Sequence, residues 1–440
     1  MSAEAPAPPF MVAPFLLDSL REPAPPPPEH GRRRGHSHRR RRGRRRALLL
    51  ALLLLVLAAG AYVGVRLSTP EPAPAVTASL ARSVHIPTSA VTLPWPTVGQ
   101  GAVAVPSIGV NLASGPETPA PVASLTKLMT AYVVLHDHPL ALGQPGPTIT
   151  VTQADVDDYD SATVNDDSNA AVTLNEQITE SQVMSGLLVH SADNYADLLA
   201  TWDAGSIPAF VAKMNATAAR LGMTHSHFAD ASGVDPASQS TASDLLKVAA
   251  LDMADPTFAS MVQLSSVTLP VAGTISTYTP LLGVQGVIGV KSGFTTAAGG
   301  GDVLAVERTV HGRQVLLLSA VTGQTGPIVL AQAGLHALAL VDAMSPFIGS
   351  TRVLAGHQVV AHVGEAGTTI GATTTAAASM LTWPGVSATR VFVPARHVAK
   401  QARRGTAVGT VVVSLGTQRV AVPVRLTQDI PPQSLLQRLS

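Results

Sequence analysis

The chain has 440 residues, is 46% hydrophobic and contains no cysteine. That is enough apolar material for a sizeable core and too much chain for one compact domain, and it excludes disulfide scaffolds, thiol catalysis and cysteine-based zinc sites. The net charge of +1 hides a division: residues 1–46 hold eleven arginines against four acidic residues, whereas residues 67–440 hold 17 basic and 24 acidic ones.

A basic arm on an acidic body points to targeting before nucleic-acid binding. No aromatic residues interleave with the arginines as a single-strand binder would require, so no nucleic-acid partner is expected. Residues 1–31 are Pro/Ala-rich without apolar periodicity, so 1–46 reads as a disordered cytoplasmic arm. Residues 47–65 carry no charge over nineteen positions, long enough to span a bilayer, and the preceding arginines place that side in the cytoplasm. The small residues at 58–61 also suit a cleaved signal peptide, but the apolar run exceeds the usual ~7–15 residues of such a segment, which favours an anchor. Residues 66–97 read as an extracellular stalk.

Residues 101–105 and 108–112 read as two short strands joined by a turn. Between Pro121 and Leu135, apolar residues recur at Val122, Leu125, Leu128, Met129 and Tyr132. That spacing predicts one helix, with Pro121 in its first turn. Residues 155–167 hold six aspartates and are expected to be a solvated loop, since a calcium loop needs fixed ligand offsets and a central glycine. Helices are expected over 181–188, 193–202, 207–221 and 241–251, the last with Ser240 as candidate N-cap, and over 327–344. Strands are expected over 287–293, 302–310 and 314–321, with Gly299-Gly300-Gly301 as a turn. After residue 346 short Val/Thr-rich runs at 359–363, 389–393, 411–414 and 420–424 predict a small all-β domain, and 434–439 an amphipathic tail.

Three short motifs carry the chemistry. Ser124-Leu125-Thr126-Lys127 puts a hydroxyl and an amine one turn apart on one helical face; a serine needs an adjacent base, and a lysine becomes one in a water-poor, cation-lined site. Ser191-Ala192-Asp193 lies in a gap between two helices. Lys291-Ser292-Gly293, followed by Phe294-Thr295, ends a strand. Only five lysines occur in the chain, and two fall in these motifs, in order. His225 and His227 lack a third ligand, so no metal site is expected. A Ser191–His190 dyad would leave the lysines unexplained.

Together the motifs resemble the Ser-x-x-Lys, Ser-x-Asn and Lys-Thr/Ser-Gly set of the penicillin-recognising serine enzymes, and within them the D-alanyl-D-alanine carboxypeptidases, low-molecular-mass penicillin-binding proteins. Leu221-Gly222-Met223, His227-Phe228, Ser232-Gly233-Val234-Asp235 and Ser240-Thr241-Ala242-Ser243-Asp244 are similar to the segment those enzymes carry between motifs two and three. The resemblance implies an α+β architecture: a β-lactamase/transpeptidase-like domain over 98–346, an antiparallel sheet with flanking helices plus a helical lobe, followed by a small β-rich domain over 350–428 and a tail over 429–440. It implies trimming of the terminal D-alanine from peptidoglycan stem peptides in the cell wall, outside a single-pass membrane anchor, and covalent inhibition by β-lactams. Ser124 is the implied nucleophile, Lys127 its base and Ser191 the proton relay. Asp193, Lys291, Ser292, Gly293, Phe294 and Thr295 are the implied substrate-binding residues, with no cofactor or metal. Asp193 stands where the family most often has asparagine; either it or Asn194 fills that place. Two rivals are a class A-like β-lactamase and a catalytically silent cell-wall-binding protein on the same fold. The first uses a glutamate between motifs two and three, and residues 191–290 contain none.

Overall fold

A computed structural model describes residues 38–70, 73–365, 368–432 and 434–435. Residues 1–37 of the arm expected to be disordered lie outside these residues, and so does nearly all of the amphipathic tail; residues 38–46 of that arm are instead helical, because they continue into the apolar helix. The chain divides into two compact units, one of residues 1–71 with 434–440 and one of residues 72–433.

In the first unit, helix His38–Ser68 carries the arginine run directly into the apolar run. Its stretch Gly43–Ser68 is long and apolar enough to cross a membrane. The nineteen uncharged residues alone would cover about 28 Å at ~1.5 Å per residue, close to a hydrocarbon core.

In the second unit, a five-stranded antiparallel sheet runs in the order Val287–Thr295, Gly299–Val310, Arg313–Gln324, Gln100–Val105, Val110–Ala113. Alternation along its strands feeds two cores. Val303, Ala305, Leu318 and Ala320 join the core of the helical lobe; Leu304, Val306, Leu317 and Val321 join the opposite one. Helix Val329–Met344 covers that second face, packing on the two middle hairpin strands. On the first face, helix Lys127–Asp137 sits among helices Asp193–Ala204, Ile207–Arg220 and Ala242–Asp252. Burial on all sides explains why eight of its eleven residues are buried.

Several expectations are corrected. The helix expected from Pro121 is two elements: a 3-10 turn Ala123–Thr126, then the α-helix from Lys127, while Pro121 pairs in a two-residue strand with Gln239. The aspartate-rich segment is largely helical, Gln153–Val164, because Thr152 and Asp155 form a capping box that satisfies its first turn. Helix Ala242–Asp252 is capped by Thr241, not Ser240. The three glycines lie within strand Gly299–Val310, where the absence of side chains lets Leu125 and Val329 close over the backbone.

The residues expected as a stalk build the C-terminal sheet. Its seven strands run in the order Ala75–Ala78, Val359–Glu365, Thr368–Thr374, Gln418–Leu426, Ala407–Leu415, Ser387–Pro394, Ser83–His85. Both edges therefore come from the segment ahead of Ser124, with Ala75 opposite Gly364 and Ser387 opposite His85. Two short edge strands leave little unpaired backbone for other chains. Ile86 and Leu93 from the same segment are buried. A protein beginning at residue 73 keeps these strands, whereas one beginning at residue 98 loses them and two buried side chains. The shorter protein is expected to melt at least about 5 °C lower and to self-associate; equal melting by calorimetry would show that the segment is a mere tether.

Candidate active site

Ser124 sits in the 3-10 turn, where residues three apart eclipse one another. Lys127 Nζ accordingly lies 3.0 Å from Ser124 Oγ. The lysine is wholly buried and donates also to the Ser232 carbonyl at 2.8 Å and to the Asp193 carboxylate. Three donors thus meet three acceptors, each from a different segment.

The backbone around the serine is strained in two places. Ala123 has φ +49° and Ser191 φ +62°, values that side-chain-bearing residues rarely adopt. Gly233 holds the first in place: a Cβ there would lie 1.9 Å from the Ala123 carbonyl oxygen. The Gly233 loop is organised by Asp230, a residue the sequence reading did not single out. Its carboxylate accepts from the Gly233 and Asp235 backbone N–H groups at 2.9 and 3.1 Å and from the Ser232 and Ser238 hydroxyls. Its only sequence signal was the pattern of turn residues around it.

Ser191 and Asp193 flank the start of helix Asp193–Ala204 and line one cleft with Ser124. Asn194 points elsewhere: its amide accepts from Ala170 N–H at 3.1 Å and donates to the Ala170 carbonyl at 2.9 Å. Of the two candidates, Asp193 faces the lysine. His190 donates to the Ser276 carbonyl at 2.9 Å and stacks on Tyr278, so it does not serve Ser191. Among the described residues no group of three or more His, Asp or Glu is placed to hold a metal.

Strand Val287–Thr295 forms an edge of the five-stranded sheet and closes the cleft. Lys291 is buried and donates to the Ser292 carbonyl at 2.7 Å. Burial, with the charge of Lys127, pulls its pKa down to about 7, against the opposing pull of Asp193 and Asp302. The Ser292 hydroxyl donates to the Tyr278 carbonyl at 2.9 Å, and the Thr295 hydroxyl accepts from Ala298 N–H at 3.1 Å. Phe294 is half exposed at the rim. The cleft holds about 300 Å³ and is also lined by Asp166, Asp167, Ser168, Val234 and Leu330.

A serine hydroxyl beside a buried amine, in a cleft closed by an edge strand, invites comparison with known proteins. A D-alanyl-D-alanine carboxypeptidase family model matches residues 110–325. The D-alanyl-D-alanine carboxypeptidase of Streptomyces sp. strain K15 is 30% identical over 225 residues, covering 47% of this chain and 75% of that one. The chain belongs to the D-alanyl-D-alanine carboxypeptidase family. Carboxypeptidase DacB2 of Mycobacterium tuberculosis is likewise 30% identical, over 48% of this chain and 71% of that protein. The D-alanyl-D-alanine endopeptidase of Haemophilus influenzae is 36% identical, but the chain spans only 41% of its length. Among solved structures, penicillin-binding protein 5 from Haemophilus influenzae shares the fold, with TM-score 0.56, 20% identity and coverage of 77% of this chain and 99% of that one. The Streptomyces K15 DD-transpeptidase gives TM-score 0.51 at 26% identity, over 57% and 98%. The transpeptidase-like fold and the serine peptidase class expected from the motifs are therefore those of this chain.

In this family member Gly293 has a steric task. A Cβ there would stand 2.9 Å from Ser124 N and 3.1 Å from Leu125 N. Gly293→Ala should push the edge strand off the nucleophile turn, slowing acylation of Ser124 at least ~10-fold and lowering stability by about 1–3 kcal/mol. Wild-type acylation kinetics in the variant would show that the strand does not bear on Ser124.

Proposed function

We propose that the chain is a serine-type D-Ala-D-Ala carboxypeptidase that releases the terminal D-alanine of peptidoglycan stem peptides through an acyl-enzyme on Ser124. The observation that carries this reading is the Ser124 Oγ–Lys127 Nζ contact at 3.0 Å, with Ser124 in the same cleft as Ser292, Gly293, Phe294 and Thr295 of the edge strand. Ser124 attacks the carbonyl of the D-Ala–D-Ala bond while Lys127 takes its proton. Ser191, beside them in the cleft, passes a proton to the leaving amine. Lys291, Ser292 and Thr295 receive the terminal carboxylate, the first through charge below pH ~7 and the others once their hydroxyls turn from Tyr278 and Ala298. Backbone N–H groups of Ser124 and Phe294 stabilise the oxyanion, each worth about 2.7–4 kcal/mol. An edge strand suits an extended peptide, since its outer backbone groups are free for pairing.

The β-lactamase reading is disfavoured by the absence of glutamate from residues 191–290. The silent-binder reading is disfavoured by the nucleophile–amine contact itself. A penicillin should add one drug mass per chain on the peptide containing Ser124. Ser124→Ala should abolish both the adduct and D-alanine release while shifting stability by about 1 kcal/mol or less. Rapid penicillin turnover without a trapped adduct would move the assignment to a β-lactamase, and an adduct on another serine would overturn the site.

The arginines ahead of the apolar helix support a cytoplasmic N-terminus with the catalytic domain outside the membrane. Protease applied to wall-stripped intact cells should digest residues beyond 70 and spare an epitope placed before residue 38; the reverse pattern would overturn the orientation.

A further inference from the structure

The proton count at Lys127 raises a difficulty that Asp193 resolves. With Ser124 Oγ, Ser232 O and the Asp193 carboxylate as its three acceptors, Nζ uses every position not bonded to carbon as a donor. An ammonium so engaged has no lone pair and cannot take the serine proton. One proton must leave first. The side chain is 0% exposed, so water is a poor acceptor, and neither a backbone carbonyl nor a hydroxyl takes a full proton. The Asp193 carboxylate does.

We propose that Asp193 stores the proton that Lys127 must shed before it deprotonates Ser124, so that Ser124, Lys127 and Asp193 act as one relay. The proposal rests on the acyl-enzyme reading above. In the resting pair the ammonium faces the carboxylate, with no net charge. An Nζ–H bond breaks, its electron pair staying on nitrogen, and the proton bonds to an Asp193 oxygen; the pair is still neutral. Rotation about Cε–Nζ turns the lone pair to Ser124. The serine O–H then breaks toward Nζ, and the Oγ pair bonds the substrate carbonyl carbon while the π pair moves to oxygen. On collapse the C–N bond breaks, and the leaving nitrogen receives the proton that Ser124 gave up. The Asp193 proton returns to Nζ. Asp193 acts through Lys127 and needs no contact with the reacting carbonyl, so it is a positioning residue.

The charged groups facing Lys127 come from three places. Asp193 and Asp197 belong to helix Asp193–Ala204, Asp167 to the preceding loop, and Lys291 to the edge strand. Of these only Asp193 is hydrogen-bonded to Nζ.

An internal transfer needs no proton release, and this sets the test. Second-order acylation of full-length protein by a labelled penicillin is followed from about pH 4.5 to about 6, below the value of about 7 to which Lys291 is pulled. The wild-type rate should stay constant within about twofold, because an internal transfer neither takes up nor releases a proton. Asp193→Asn and Asp193→Ala lack the store, so their rates should rise about tenfold per pH unit. Melting curves across the range confirm that the variants are folded. Parallel profiles for wild type and variants would overturn the proposal, and so would a steep wild-type profile, which needs no variant to interpret. Failure of the acyl-enzyme reading looks different: wild-type Ser124 would not be labelled at any pH.

Discussion

A fully buried ammonium constrains the centre of this molecule. Removing a charged group from water costs several kcal/mol even after relaxation, and only close partners offset it. For Lys127 those partners are brought by the Ala123–Thr126 turn, the head of helix Asp193–Ala204 and the Asp230-organised loop. None can move without leaving a donor unmet in a dry site. The same demand sustains the unusual backbone at Ala123 and Ser191, conformations that cost of order 1–3 kcal/mol each and persist only where surroundings over-determine them. Thr130, one turn beyond, ties the same loop through the Ala231 carbonyl at 2.6 Å.

Lys291 adds a second buried cation. Its charge is disfavoured by burial and by Lys127, and supported by Asp193 and by Asp302, whose own buried carboxyl is held well above the usual carboxylate range, chiefly by loss of solvation. At the mouth stand Asp166 and Asp167, the latter also raised, first by burial and then by Asp193. Charges of both signs therefore surround the cleft, inside a domain that is acidic as a whole.

Much of this was legible in the sequence, for identifiable reasons. Ser124, Lys127, Ser191 and Lys291 sit in short recognisable motifs, and the central strands of the five-stranded sheet are continuous apolar runs, as at 303–306 and 315–318, buried on both faces. The break between Ala123 and Lys127 was not legible, because it is imposed by Gly233, far along the chain. The aspartate-rich helix lacked an apolar stripe; its cap, Thr152 with Asp155, was the signal to follow. Asp193 and Asn194 could not be ranked, since adjacent residues on a helix differ by about 100° in direction and only its register decides. Strands of four and three residues at 75–78 and 83–85 are too short to show periodicity, and their partners lie almost 300 residues away.

Those short strands bear on how the chain treats its sheet edges. An uncovered edge invites pairing with any extended chain. In the seven-stranded sheet both edges are short segments. In the five-stranded sheet the edge strand Val287–Thr295 is nine residues long, with buried residues along most of it. What guards it is the Ala123–Thr126 turn, packed against the strand so closely that a Cβ at Gly293 would crowd Ser124 and Leu125. In the proposed reading, an extended peptide that pairs with this edge would lie alongside Ser124. Covering part of the edge with the Ala123–Thr126 turn, rather than with another strand, ties the shielding of this edge to the position of that turn.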